Sequence, residues 1–331
     1  MRKKILITGA SGFVGYHLVQ AAYEAGLEVH AAVRKTSDVS EIKSFVDQFV
    51  YPDFKNKDSL LELLELEQYA YIVHAAAMTR AKNELDLVEV NVGYSECLAD
   101  AVFESNIPLE RFVFISSLAA IGPVAYDAPA INEQNDYHPV TAYGRSKVLA
   151  EKMLDKYVDN KLSIIRPTAV YGPKEKDLFV LFKTLNTGLD AYIGKSPQKL
   201  TFVFVKDLVN AILNACFLDK GGKKVYNITD GLVYDRYEMA TIFKKYTAKS
   251  LYRLHLPLRL VRGVAQAMDL AYKKSKSIPV LYPERLNELT AASWACDISS
   301  SIKNIQYKPI YDLDAGLKVT IQWYRDHKWL K

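Results

Sequence analysis

Along the first half of the chain, short unbroken apolar runs alternate with stretches in which apolar residues recur every three or four positions. KILIT (4–8), EVHAAV (28–33), AYIVHAA (70–76), RFVFISS (111–117) and LSIIRP (162–167) read as strands, rich in β-branched and aromatic residues. Between them the spacing predicts helices over Phe13–Ala25, from about Glu84 to Glu104, and around Tyr143, where Val148, Leu149 and Met153 follow the turn-like run Asp136–Pro139. Strands that are apolar on both faces need cover on both faces, and intervening helices supply it. The expected fold class is therefore α/β, a doubly wound parallel sheet. After Pro173 the pattern changes to mixed helices and isolated strands such as KVYNIT (224–229). This predicts a sheet domain over 1–170, joined by 201–220, and a smaller interleaved mixed α/β domain over 171–331 that binds substrate.

Between the first strand and the first helix stands G9-A-S-G12-F-V-G15. Glycines there let the backbone turn tightly and approach a pyrophosphate, which sits at the positive end of the helix. Such a run is weak evidence in isolation, but directly after a strand and opening a helix it has the context that dinucleotide binding requires. The expectation is a Rossmann-type site in which Gly9, Ser11, Gly12, Phe13, Val14 and Gly15 hold the cofactor. The spacing is GxxGxxG, not GxGxxG.

TAYGRSKVLAE (141–151) places Tyr143 and Lys147 four apart on a helix, hence on one face. A surface pair without a role is the bland explanation. The alternative is a phenol whose pKa a neighbouring cation lowers, so that it passes a proton near neutral pH.

Composition narrows the class without naming it. Half of the 331 residues are apolar and 24% are charged, with a formal charge of +5. The one basic cluster, YKKSKS (272–277), has no stacking aromatics interleaved, so a nucleic-acid partner is not expected. Cys97, Cys216 and Cys296 lie far apart without CxxC spacing, which argues against a disulfide framework or a metal site and suits a reducing compartment. The start MRKKILITGASG imitates a signal peptide, but its apolar run is too short, and no stretch approaches the roughly 18 apolar residues of a spanning helix. A cytoplasmic protein acting on a small molecule is expected.

Taken together, GASGFVG, VHAAA (73–77), Asn91, FISSLAAIGP (114–123), TAYGRSK, RPTAVYGP (166–173), FVFVKDL (202–208) and the closing segment 294–324 carry a resemblance. The chain resembles the extended short-chain dehydrogenase/reductases, which include nucleotide-sugar epimerases and dehydratases, dihydroflavonol reductases and 3β-hydroxysteroid dehydrogenases. The resemblance implies a catalytic Ser117, Tyr143 and Lys147, the serine standing 26 residues before the tyrosine. Tyr143 would exchange a proton with the substrate oxygen, Lys147 would lower the phenol pKa and hold the ribose hydroxyls, and Ser117 would hydrogen-bond the same oxygen. It also implies that Ala75, Ala76 and Ala77 floor the nicotinamide half, that Asp53 and Phe54 flank adenine, and that Pro167 and Val170 complete the pocket. A homodimer is an open expectation. His74 reads as a satisfied core histidine, Asp207 as a cap for a helix beginning at Leu208, and the role of Asn91 stays open.

Arg34 and Lys35 end the second strand, and no acid follows until Asp38. A basic corner favours NADP(H) over NAD(H), since a guanidinium binds a 2′-phosphate through two bonds. On the substrate side, Thr168 and Ala169 stand where nucleotide-sugar members often carry an asparagine, and KLTFVFVKD (199–207) lacks an arginine that many show. Thr79, Ser117, Thr168 and Ala169 are the substrate-contact candidates. Arg253, Arg259 and Arg262 are the cations that would meet a phosphate were one bound. The stripe within 256–274 is expected to pack on the second domain, a greasy wall or a membrane-surface foot being the sharper alternative. The leading expectation is an NADP-dependent oxidoreductase interconverting a ketone and a secondary alcohol on an apolar, flavonol-, sterol- or lipid-like substrate. A nucleotide-sugar epimerase or dehydratase with retained cofactor is the alternative, and a catalytically silent NADP-binding subunit is the third.

Overall fold

A computed structural model describes residues 2–158, 160–219, 221–272, 275 and 281–330. In chain order the elements are β1 (Lys4–Thr8), α1 (Phe13–Glu24), β2 (Glu28–Ala32), β3 (Gln48–Val50), α2 (Lys57–Glu67), β4 (Tyr71–His74), α3 (Glu84–Val88), α4 (Tyr94–Glu104) and β5 (Arg111–Ile115). They continue as α5 (Ala142–Met153), β6 (Leu162–Pro167), β7 (Ala169–Tyr171), α6 (Phe179–Asn186), β8 (Leu189–Ile193), β9 (Phe202–Phe204) and α7 (Val205–Leu218). Last come β10 (Lys224–Ile228), α8 (Glu238–Thr247), β11 (Tyr252–Leu256), α9 (Leu258–Tyr272), α10 (Pro283–Leu289), α11 (Ser299–Ile305) and α12 (Leu313–Asp326).

Seven strands form one sheet in the order β3-β2-β1-β4-β5-β6-β10, every pair parallel. Successive side chains alternate faces. On β1, Ile5 and Ile7 therefore join Val29, Val73 and Ile165 in a layer with Leu18 and Val19 of α1 and Leu208 and Ile212 of α7. Leu6 goes the other way, with Ile72, Phe112 and Ile164, into a layer with Leu64 of α2, Leu98 and Val102 of α4, and Ala150 of α5. That double burial is why these strands are apolar throughout. The strand order reverses between β1 and β4, so the loops at their carboxyl ends part there and leave a crevice.

KVYNI does not stand in a separate unit: β10 extends the main sheet beside β6, with Tyr226 opposite Ile165. Its apolar residues complete the layer over α7, which a strand elsewhere could not do. A third cluster of buried residues gathers Tyr171, Phe182, Phe204, Met239, Phe243, Leu317, Ile321 and Tyr324. The predicted helix from Glu84 to Glu104 is present but passes through one wide turn at Glu89–Gly93 that carries Asn91. On α9, Val261 and Ala265 are buried while Leu260, Val264 and Leu270 are exposed, so only half of the stripe packs on neighbours. Of the basic run 272–277, all but Tyr272 and Ser275 lie outside the described residues. No helix among the described residues is long and apolar enough to cross a membrane.

Candidate active site

The glycine loop shows why it admits no other residue. Gly9 has φ +69°, and a Cβ there would stand 2.7 Å from the backbone nitrogen of Ala76. At Gly15 a Cβ would stand 2.1 Å from the Gly9 carbonyl oxygen, so the first turn of α1 closes tightly on the loop. The N-terminus of α1 has no side-chain cap and no acid in its first turn. Free N–H groups and an uncompensated positive helix end are what an anionic diphosphate needs. A cavity of about 570 Å³ runs from this loop past Ala75, Ala77 and Thr79 to Ser117, Tyr143, Lys147, Pro167 and Val170. The residues present thus fit a dinucleotide laid across the crevice between β1 and β4.

The catalytic candidates converge at the far end of that cavity. Ser117 follows β5 in extended backbone, and its hydroxyl accepts from the Ala119 N–H at 3.1 Å. Thr141 caps α5 by accepting from the Gly144 N–H at 3.1 Å. Gly144 lets the helix press against the turn after Ser117, because a Cβ there would stand 2.4 Å from the Ala119 carbonyl oxygen. This close approach brings the Tyr143 phenol near enough to Ser117 for the serine hydroxyl to lower its pKa. Lys147, 1% exposed, donates to the Ile115 carbonyl at 2.8 Å, and its ammonium lies 5.9 Å from the Tyr143 ring centroid.

The electrostatics differ from the expectation that the lysine makes the phenol acidic. Desolvation pushes Tyr143 up to about 12, the Ser117 hydroxyl only partly opposes it, and Glu288 adds to the rise. Lys147 is itself pushed down to about 8 by burial, with Glu151 opposing. The ammonium is committed to the Ile115 carbonyl, so burial decides the phenol's state. At neutral pH the Tyr143 phenol is therefore protonated.

Other expected residues fall into place or out of it. His74, pushed down to about 3 by burial, exchanges hydrogen bonds with Thr8 at 2.7 Å and Ser95 at 2.9 Å, and is the satisfied core histidine anticipated. Asn91 clamps the loop after β4 to α5: it accepts from the Met78 N–H, donates to the Met78 carbonyl, both at 2.8 Å, and donates to Ser146 at 2.9 Å. Ala76 donates its N–H to Thr8 at 3.1 Å and lies behind the cavity wall, beside Gly9. Asp53 accepts from the Lys55 N–H at 3.0 Å in a turn, and Phe54 stacks on Tyr94 with ring centroids 6.2 Å apart. Neither Asp53 nor Phe54 lines the cavity, nor do Arg34 and Lys35, which stand exposed beyond β2. Asp207 is no cap: α7 starts at Val205, and the buried carboxylate accepts from the N–H groups of Ile310 at 3.0 Å and Tyr311 at 2.9 Å, tying down the C-terminal segment.

A second cavity of about 440 Å³ opens beyond Ser117 and Tyr143 and includes Thr79, Thr168 and Ala169. Its walls are largely hydrocarbon: Leu118, Leu178, Leu181, Leu200, Phe202, Met239, Leu289 and Trp294. The arginines that reach it are Arg80, Arg236 and Arg285, not the expected three. Arg253 instead pairs with Asp190 at 2.8 Å, and Arg259 and Arg262 lie exposed on α9. Arg80 pairs with Asp177 at 2.5 Å, and Arg236 donates to the carbonyls of Ser196 at 2.7 Å and Ile193 at 2.8 Å. Sequence reading named Thr79, Ser117, Thr168 and Ala169 of this cavity but not the rest of its walls, which come from separate stretches joined only by the fold. It also missed the strap Lys174–Asp177 and the pair Asp38 and Glu41, which line the cofactor cavity. The one local signal was the YGP turn, whose Gly172 starts the strap.

Residues 5–229 match the model of the NAD dependent epimerase/dehydratase family, and the chain belongs to that family of NAD-dependent enzymes. It is 27% identical over 339 residues to the UDP-glucose 4-epimerase of Vibrio cholerae, covering 97% of this chain and 95% of the relative. It is also 27% identical over 273 residues to sterol demethylase protein B of Methylococcus capsulatus, covering 80% of each chain. Among solved structures, the UDP-glucuronic acid 4-epimerase of Bacillus cereus in complex with NAD superposes with a TM-score of 0.76 at 23% identity, over 98% of this chain and 99% of the other.

Proposed function

We propose that the protein is an NADP-dependent reductase of a ketone carried on a largely apolar body, running equally as the reverse alcohol dehydrogenase. The observation that supports this most directly is the second cavity. Its lining is apolar over most of its surface, the acids Glu175, Asp177, Asp235 and Glu288 stand among the polar residues, and two of its three arginines are already held, by Asp177 and by backbone carbonyls. A diphosphate buried there would meet little free positive charge, which is costly. The likeness to sterol demethylase protein B points the same way.

In this reading the glycine loop and the cavity beyond it would hold the dinucleotide, whose chemistry there would be hydride transfer to the carbonyl carbon. Tyr143, protonated at neutral pH, gives its proton to the carbonyl oxygen, and Ser117 hydrogen-bonds that oxygen as charge develops on it. Lys147 holds the ribose hydroxyls from below. The floor of small residues Ala75 and Ala77 leaves the nicotinamide half room to approach. Arg34 and Lys35 stand exposed at the end of β2 and pair with no carboxylate among the described residues, which leaves them available to a 2′-phosphate. The carboxylates nearby are occupied, Asp38 by Ser40 at 2.7 Å and Glu41 by Lys174.

A nucleotide-sugar epimerase is the second reading, favoured by Arg285. It lines the cavity and makes no hydrogen bond or ion pair among the described residues. The Vibrio cholerae relative is named for that chemistry. Assaying NADPH consumption with hydrophobic cyclic ketones, and UDP-glucose in parallel, separates them. Net NADPH oxidation by a ketone supports the reductase. Interconversion of the sugar nucleotide with no net use of cofactor would replace it with the epimerase.

A further inference from the structure

Beneath Ser117, Tyr143 and Lys147 lies a second polar cluster, closed to solvent. Glu151, one turn beyond Lys147 on α5, is 1% exposed, and Arg166 on β6 is 2% exposed. Arg166 Nε donates to both Glu151 carboxylate oxygens at 3.0 and 3.1 Å, and a terminal nitrogen donates at 2.5 Å. Tyr137 donates its hydroxyl to the same carboxylate at 2.9 Å and accepts from Arg166 at 3.1 Å. Ser116 donates its hydroxyl to the other carboxylate oxygen. One carboxylate thus gathers the end of β5, the last turn of α5, the end of β6 and the loop before α5.

A buried ion pair is weak ground for stability, because desolvation takes back most of the Coulomb gain. Its position is more telling. Ser116 precedes Ser117, Arg166 precedes Pro167 and Thr168 of the cavity walls, and Glu151 sits below Lys147. Lys147 is faced by His74 from β4, by the Phe114 ring at 4.7 Å and the Ile115 carbonyl from β5, and by Tyr143 and Glu151 on its own helix. His74 is neutral and Tyr143 protonated, so Glu151 is the one negative charge among them.

We propose that Glu151 is a positioning residue of the active site: clamped by Arg166, Tyr137 and Ser116, it fixes the strand end that bears Ser117 and holds Lys147 as an ammonium ion. This rests on the reading of Lys147 as the group that holds the cofactor ribose. Burial alone draws the lysine toward its neutral form, and Glu151 is what opposes it. Without that charge the ammonium would be lost at lower pH and cofactor binding with it.

The test is the dissociation constant of NADPH, followed by fluorescence from neutral to alkaline pH, for the wild type, E151Q, E151D and K147A. Wild-type binding should weaken as pH rises past about 8, where Lys147 loses its proton. In E151Q that midpoint should move down by roughly 0.5–1 pH unit, as for loss of a nearby opposite charge. A flat K147A profile with an unmoved E151Q midpoint would overturn the role of Glu151 alone. A K147A profile like the wild type would overturn the assignment of Lys147 and this proposal with it. Should E151Q not fold, E151D decides, since it keeps the charge but withdraws it by one methylene. A midpoint below the wild type upholds the role, and an unmoved one removes it.

Discussion

Gly144 lies against Ala119 so closely that a Cβ on the glycine would stand 2.4 Å from the alanine carbonyl oxygen. This contact sets the distance between the helix carrying Tyr143 and the turn that begins at Ser117. It explains why TAYGRSK has its small residue beside the tyrosine. Gly144→Ala should push α5 away and lower turnover more than it lowers cofactor affinity. Overpacking of this kind costs about 1–3 kcal/mol. A crystal structure or a kcat/KM unchanged from the wild type would remove the argument.

Tyr143→Phe tests the proton donor itself. The phenol sits at about 12 and is protonated at neutral pH, so its removal takes away the proton, not merely a contact. Turnover should fall by roughly 10²–10⁴-fold, the range of general acid–base catalysis, with NADPH affinity nearly unchanged. Stopped-flow turnover beside fluorescence titration checks both halves. Normal turnover in the variant would eliminate Tyr143 as the donor.

Much of this was legible in the sequence. The strands KILIT and LSIIRP have the predicted bounds, because continuous apolar runs flanked by turn formers leave few other places for them. The glycine loop and the Tyr143–Lys147 pair were legible for a local reason, since each depends on neighbours in sequence or on one helical turn, whereas Ser117, 26 residues before Tyr143, was picked out only by the family resemblance. The direction of the Tyr143 shift was not. It depends on how deeply α5 is packed and on the Ile115 carbonyl that occupies the ammonium, neither of which periodicity reveals. Asp207 was misread because its partners, Ile310 and Tyr311, stand about a hundred residues away.

Lys147 carries a stability cost that pH should expose. Its pKa falls from the ordinary 10.5 to about 8 on folding, so between those values the unfolded chain binds the proton and the folded one does not. Stability from this group therefore rises as pH increases from about 8 to 10.5, and the cost is fully present below about 8. Replacing it with Met, which keeps the stem without the charge, should raise stability near pH 7 by up to about 3 kcal/mol, at the expense of cofactor affinity. The gain should shrink toward pH 10. Urea melts of the two proteins at several pH values test this, and a variant less stable at neutral pH would contradict it.

Cofactor choice gives a separate test at the other end of the crevice. NADPH should bind more tightly than NADH, and Arg34→Ala should narrow the gap by roughly 1.5–3 kcal/mol, the scale of a hydrogen bond to a charged group. Lys35→Ala should act in the same direction but less, since an ammonium makes no paired contact with phosphate. Isothermal titration of both nucleotides against each variant provides the comparison. Equal wild-type affinity for the two would refute the preference.

Arg285 distinguishes the two substrate readings within one molecule. It reaches the cavity of about 440 Å³ beside Tyr282, Glu288 and Leu289, and it makes no hydrogen bond or close ion pair among the described residues, though its charge acts on the buried Glu288. Arg80 and Arg236 are held in place by Asp177 and by backbone carbonyls. If the cavity takes an apolar ketone, Arg285→Ala removes no partner of the substrate, and kcat/KM should stay within about threefold, a change below 1 kcal/mol. If it takes a nucleotide diphosphate, the same change removes the one unpaired cation. UDP binding should then weaken by roughly 10–100-fold, the worth of a charge-assisted pair. Titrating UDP against the NADPH complex of wild type and variant, with ketone turnover measured alongside, reads both. Micromolar UDP binding that disappears in R285A, together with no turnover of apolar ketones, would assign the cavity to a sugar nucleotide.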